Sequence, residues 1–450
     1  YPGATFRHRT ASEFANQIDW LLPNRVDVVG GMIKTIETAT AGDKAKEVLY
    51  ASTVAGNKNT LKRAQGELDG LRRSDAVRVR REDEAAMLAW LAKQPNASAL
   101  QADIRAMQAQ LDAGQATRER DFLLPFLRPG LLGSAITLRR LAMERGKPDA
   151  QRESGFQQRD EVLIEGGLKQ LQRRYDPEVE KATLRYALKR YYALPASQRI
   201  AEFDAAFGAS EATARAKLDS LYAQTKLGVE ADRLALMKTA PDAVLASTDP
   251  LMQLAATLQP ALLRLEDEGK QRSGELMRLR PAYMQALIGY RESQGRAVYP
   301  DANSTLRVSY GKISPLSPRD GMDYRPLTTV AGIVEKNTGV EPFDAPKPLL
   351  DAIAAGDFGT TIDPTLKTQT VDFMTNLDTT GGNSGSPVLD ANGKLIGLNF
   401  DSNWEAVSAS WMFDPRYKRA IHVDMRYLRW LLAKVYPAPH LLSEMNLPAE

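Results

Sequence analysis

The residues best suited to chemistry lie at positions 378–388, Asp-Thr-Thr-Gly-Gly-Asn-Ser-Gly-Ser-Pro-Val. A serine hydroxyl is a weak nucleophile at neutral pH. It needs a base and a place for the negative charge that develops on an attacked carbonyl. Glycines on both sides of Ser384 let the backbone turn tightly with its N–H groups facing inward. The amides of Gly382 and Ser384 then converge on one oxyanion. Ser386 is the neighbouring alternative, but Ser384 follows the Gly382-Asn383 pair and is the better candidate. A plain Gly/Ser turn between two strands has a similar composition. The nucleophile reading is favoured because a β-like run follows, then a second Gly-containing hairpin at Asn392-Gly393-Lys394.

A base is harder to find. The chain holds three histidines, His8, His422 and His440. His8 sits in the basic run Arg7-His8-Arg9 and reads as surface. His422 alternates with Ile421 and Val423 in a strand-like run and reads as structural. His440 lies in a Pro-flanked tail.

The elements that must position Ser384 follow from texture. From about Glu13 to Glu292, Ala, Leu, Glu, Lys, Arg and Gln dominate, and apolar residues recur at helical spacing. Leu163, Leu168, Leu171 and Tyr175 are one such set. Stops fall at Gln94-Pro95-Asn96, Arg128-Pro129-Gly130, Gly146-Lys147-Pro148 and Ala240-Pro241. After residue 293 the texture changes to short β-like runs, Leu306–Tyr310, Thr328–Glu335, Val388–Leu389 and Leu395–Phe400, separated by Gly, Pro, Asp and Asn. A closing helix is expected over Asp424–Tyr436, with Asp424 as its N-cap and Met425, Leu428, Leu431, Leu432 and Val435 as its apolar stripe.

Composition bounds the function classes. The 450 residues are room for two or three domains, and 43% hydrophobic with 26% charged residues is an ordinary globular balance. A net charge of +3 is too small to argue for nucleic-acid or membrane binding. No apolar run approaches the ~18–20 residues that span a bilayer. The absence of cysteine removes disulfides, thiolate nucleophiles and Cys-ligated metals. The histidines show no ligand spacing, so neither a metal nor another cofactor is expected.

The run GGNSGSP at 381–387, followed by LIGLNFDSNWEAVS and IHVDMRYLRWLL, resembles the bacterial serine dipeptidyl-peptidases of the dipeptidyl-peptidase 7 and 11 type. YPGATFR (1–7), YPDANSTLRVSYG (299–311), Asn59-Thr60-Leu61-Lys62, Gly66 and Gly70-Leu71 match it too. The resemblance implies an α+β multidomain fold: a chymotrypsin-like β-barrel enzyme with a large inserted all-α domain. By the same resemblance, this chain is expected to hold the second barrel and to lack most of the first. The expected division is 1–12 as the end of the first barrel, 13–292 as the helical cap, and 293–450 as the second barrel with the serine. The triad histidine and aspartate are then expected upstream of residue 1, in keeping with a chain that starts at Tyr rather than Met. A periplasmic or cell-surface location and a homodimer are implied as well.

A dipeptidyl-peptidase must hold a free α-amine a fixed distance from the scissile carbonyl, and two extended residues span only ~7 Å. By resemblance, Asp401 pairs with the substrate amine, Phe400 lies beside it, and Asn59 also binds it. Taken alone, Asp401 could be a turn residue, Phe400 core, and Asn59 a solvated helix position. Ser402 occupies the position that tunes the pocket for the penultimate substrate residue (P1). Members preferring hydrophobic residues carry glycine there, and members preferring Asp or Glu carry arginine. Serine cannot neutralise an acid, so a hydrophobic or small uncharged P1 residue is expected. An acidic preference is the alternative if a cation from elsewhere reaches the pocket. The expected activity is release of dipeptides from free N-termini through an acyl-enzyme. The competing readings are a trypsin-like endopeptidase and a non-catalytic binding module.

Overall fold

The computed structural model describes residues 2–447 except Asn96 and Ala209. Tyr1, Asn96 of the expected helix stop and the end of the 293–450 segment therefore lie outside the described residues. The chain divides into two compact units. One comprises Tyr1–Leu22, Arg63–Glu84 and Ala297–Glu450, and the other Pro23–Lys62 and Ala85–Arg296.

The second unit is helical, as the periodicity predicts. Its longest helix, Pro250–Ser293, starts with proline at the first position, where no N–H is needed, and Asp249 caps Leu251 N at 2.9 Å. The helix continues through Pro260 and Pro281. One core gathers Leu131, Leu138, Leu184, Phe203, Phe207, Leu218 and Leu258. A second joins Met87, Leu91, Met107, Leu279 and Tyr283. One stripe is corrected: Leu168 is buried, but Leu163 is 73% exposed. The two lie five positions apart, about 140° around a helix, and cannot share a narrow face.

The first unit carries the strands β1 (Leu316–Arg319), β2 (Met322–Tyr324), β3 (Leu327–Thr329), β4 (Thr370–Thr375), β5 (Pro387–Leu389), β6 (Leu395–Ser402) and β7 (Ala420–Asp424). β1 and β2 form a hairpin, and the others form an antiparallel sheet in the order β3-β4-β7-β6-β5. The helix Met425–Trp430 begins at Asp424, whose carboxylate accepts from Arg426 N at 2.9 Å, as expected of an N-cap. Of the expected stripe Val435 is buried, but the deepest side chain is Trp430, packed with Val330 and Leu349.

Two β expectations change. Residues 306–310 form no strand, and Leu306, Val308 and Tyr310 are exposed. An extended run becomes a strand only when its backbone finds a ladder partner. Thr328–Glu335 is a strand only to Thr329 and then the helix Val330–Lys336, in which Val330 and Ile333 pack inward at i and i+3. β4 and the helix Lys347–Ala355 were not legible in advance.

The compact units also cut across the expected undivided helical block 13–292. Residues 63–84 cluster with the sheet because glycines let the helix Lys44–Arg73 approach closely at its end. A Cβ on Gly70 would meet Ser408 Cβ at 2.7 Å, and one on Gly66 would meet Val407 Cβ at 3.2 Å. Gln17 Nε2 donates to Glu67 Oε1 at 2.7 Å in the same region.

Candidate active site

Ser384 sits in the turn between β4 and β5, exposed at the edge of the sheet. Gly382 and Gly385 take φ of 102° and 82°, which side chains disfavour, so both glycines are needed for the turn itself. Asn383 closes it twice: its N–H donates to Thr380 O at 3.1 Å and its Oδ1 accepts from Thr380 N at 3.0 Å. Gly385 N donates to Asn399 O at 2.7 Å, and Asn399 N to Ser386 O at 2.9 Å, pinning the turn to β6. Among the described residues, neither Gly382 N nor Ser384 N has a hydrogen-bond acceptor. Both amides are available for a ligand oxygen.

The turn is also held from the chain's start. Gly3 N donates to Gly381 O at 2.6 Å, and a Cβ on Gly3 would lie 2.6 Å from the same oxygen, so only glycine fits. Arg7 forms a two-pronged pair with Asp378, at 2.5 and 2.7 Å, and also donates to Ala409 O. Asp301 accepts from Thr5 Oγ1 at 2.6 Å and from Arg7 N at 2.9 Å. The three stretches singled out in the sequence, 1–7, 299–311 and 378–387, thus meet around one turn.

β6 supplies the neighbouring groups. Its pairing with β7 runs Asn399↔His422 and then Asp401↔Ile421, so Phe400 is an extra, bulged residue. Side chains alternate along a regular strand, and position 401 would follow 397 and 399 inward. The bulge breaks the alternation and leaves both Phe400 and Asp401 exposed. Ser384 Oγ donates to Phe400 O at 3.4 Å. Asp401 Oδ1 accepts from Ser402 N at 2.7 Å. Asn59 is exposed on the stretch of the helix Lys44–Arg73 that belongs to the helical unit.

No histidine among the described residues hydrogen-bonds Ser384. His8 Nε2 contacts Tyr299 O at 2.6 Å, and His440 is exposed. His422 is fully buried on β7, bonded to Thr375 Oγ1 at 2.7 Å and packed on Phe373. Burial, reinforced by the Lys418 charge, pushes its pKa down to about 4, so its ring is neutral at neutral pH. Nor does any cluster of three or more His, Asp or Glu side chains among the described residues suit a metal ion. Among the same residues, no helix is long and apolar enough to cross a membrane.

Sequence reasoning missed Lys418. It is 2% exposed, and its Nζ donates to Ser402 Oγ at 2.5 Å and Thr379 Oγ1 at 3.0 Å. Burial lowers its pKa to about 8, opposed by the negative charges of Asp378 and Asp401 and reinforced by Arg7. Asn403 holds the segment in place: its side chain donates to Tyr417 O at 2.8 Å and accepts from Arg419 N at 2.7 Å. A signal was present in the sequence. Lys418, Ala420, His422 and Asp424 follow the two-residue period of β7, and all four are buried.

The model of the peptidase S46 family matches residues 1–447. The Asp/Glu-specific dipeptidyl-peptidase of Shewanella putrefaciens is 36% identical over 99% of this chain and 64% of its own length. Dipeptidyl-peptidase 7 of Porphyromonas endodontalis is 30% identical over 99% of this chain and 54% of its own. The crystal structure of Porphyromonas endodontalis DPP11 in complex with the dipeptide Arg-Glu superimposes with a TM-score of 0.80 at 25% identity, covering 99% of this chain and 63% of that one. The chain therefore spans less than two thirds of the length of these relatives.

Proposed function

Because this chain belongs to the peptidase S46 family, we propose that it supplies the nucleophile and the amine-binding strand of a serine exopeptidase that releases dipeptides from free N-termini. The observation that carries the reading is the bulge at Phe400. It exposes Asp401 one residue beyond the carbonyl that Ser384 Oγ touches. A carboxylate so close to the nucleophile limits how much peptide fits on the amino side of the scissile bond. In this reading Ser384 Oγ attacks the carbonyl, the Gly382 and Ser384 amides hold the oxyanion, and Asp401 receives the α-ammonium, with Phe400 contributing to that end of the substrate. The sheet is read as the second of two chymotrypsin-like barrels. A base is required, and neutral, enclosed His422 does not serve. The base is assigned to a part of the protein outside these 450 residues. A homodimer and a periplasmic or surface location belong to the same reading.

The P1 preference is proposed to be acidic, reversing the expectation drawn from Ser402 alone. Two things support this: the Asp/Glu-specific name of a relative at 36% identity, and a buried ammonium bonded to Ser402. The test is hydrolysis of paired substrates by the intact protein, one with a free and one with an acetylated N-terminus. Cleavage of the free form alone is expected. Equal cleavage of both would favour the endopeptidase reading, and cleavage of neither would favour the non-catalytic one.

A further inference from the structure

A buried ammonium normally sits against a carboxylate, because a charge taken out of water without a counter-charge is strongly unfavourable. Lys418 does not. Its two hydrogen-bond partners, Ser402 and Thr379, are neutral hydroxyls. The carboxylates around it are engaged by other groups. Asp378 is paired with Arg7, and Asp401 accepts from Ser402 N. Lys418 also borders a cavity of about 170 Å³, and there Asp414 is paired with Arg416 while Glu405 accepts from Asn403. His422, the nearest ionisable group on β7, is neutral at neutral pH. The charge is thus held in place by Asn403 and the sheet, without an anion of its own. Nζ donates to Ser402 Oγ, so that oxygen's remaining proton is free to point away from the lysine. Ser402 stands at the end of β6, next to Asp401 and two residues beyond the carbonyl that Ser384 touches.

We propose that Lys418 is the specificity-determining cation of this protein: it receives the side-chain carboxylate of an acidic P1 residue, with the Ser402 hydroxyl as the first donor that the carboxylate meets. The assignment deepens the acidic P1 reading and rests on it. It explains how serine at position 402 is compatible with an acidic substrate. The charge comes from the segment that leads into β7, sixteen residues later in the chain, instead of from residue 402 itself. It also explains why an unpaired ammonium persists in a buried position: the substrate supplies the missing anion.

The test is made in the intact protein, with substrate pairs that share an N-terminal residue and differ only in Asp or Leu at P1. The readout is the ratio of their kcat/KM values. The wild type is expected to favour Asp. Lys418→Met is expected to cut the ratio by on the order of 100-fold, the scale of losing a desolvated charge pair, and Lys418→Arg to retain part of it. Ser402→Ala is expected to cost about 10-fold, the scale of one hydrogen bond to a charge. A wild type with no preference for Asp would overturn the acidic reading and the Lys418 assignment together. A wild type that prefers Asp, with Lys418→Met within threefold of it, would overturn the Lys418 assignment alone. If Lys418→Met fails to fold, the wild-type pH profile decides. The substrate α-amine is common to both substrates and cancels in the ratio. Deprotonation of Lys418, held near pH 8 in the free protein, removes only the Asp preference. A ratio that falls between pH 7 and pH 9 supports the assignment, and a flat ratio overturns it.

Discussion

The turn that carries Ser384 is made from consecutive residues, whereas the wall that carries Lys418 is made from three separate segments, around 379, 402–403 and 418. The first is shaped by local backbone chemistry. Gly382 and Gly385 adopt positive φ, and Asn383 closes the turn on Thr380. The second is shaped by sheet pairing, since Ser402 stands opposite Ala420 and so comes within reach of a side chain two residues further back on the β7 side. A local device is visible in a string of residues. A non-local one depends on which strands pair and in what register.

Single substitutions test this contrast from both sides. The largest effect is expected from Ser384→Ala, which should lower kcat by about 10⁴–10⁶ while leaving the melting temperature unchanged, because the side chain is exposed and only weakly bonded. Single-turnover assays beside thermal denaturation would show it. Substantial residual activity would move the nucleophile to Ser386. Next, Asp401→Ala should lower kcat/KM on unblocked substrates by roughly 10²–10³, the scale of losing one partner of a hydrogen-bonded charge pair. If activity on those substrates were unchanged, Asp401 would have no role in amine recognition, and the bulge at Phe400 would lose its functional meaning.

Smaller effects probe the non-local side. Gly70→Ala should destabilise the β unit by about 1–3 kcal/mol, since the new methyl meets Ser408 Cβ at 2.7 Å. Denaturant unfolding measures it. A neutral result would mean that the Ser408 segment shifts freely and that the close approach of residues 63–73 is not what holds them to the sheet. The smallest effect concerns Arg7→Gln. The Arg7 charge pushes the Lys418 pKa down and also pairs with Asp378, whose negative charge pushes it up. Removing Arg7 withdraws the first influence and unmasks the second, so both changes raise the Lys418 pKa. The pH at which Asp preference is lost should then move upward, as read from the same substrate ratio. A downward movement would show that Lys418 is not the titrating group.

Short-range signals in the chain were enough for the helical block, β5, β6, the closing helix and the glycine turn around Ser384. These rest on short-range rules: apolar residues at three- and four-residue spacing, glycines where φ must be positive, and Asp424 at a helix start. The alternation around His422 also placed that residue correctly in a strand. The remainder depends on long-range packing and strand pairing. Leu306, Val308 and Tyr310 have the composition of a strand but no partner strand among the described residues, so they remain an exposed run outside any strand. Gly66 and Gly70 lie in a helix, where glycine is costly, and their reason is visible only once Val407 and Ser408 are seen to occupy the missing side-chain space. Most consequentially, Ser402 taken alone predicts an uncharged pocket. The sheet register sets a buried ammonium against its hydroxyl, because the partner of a residue on one strand is chosen by hydrogen bonds that join positions distant in the chain.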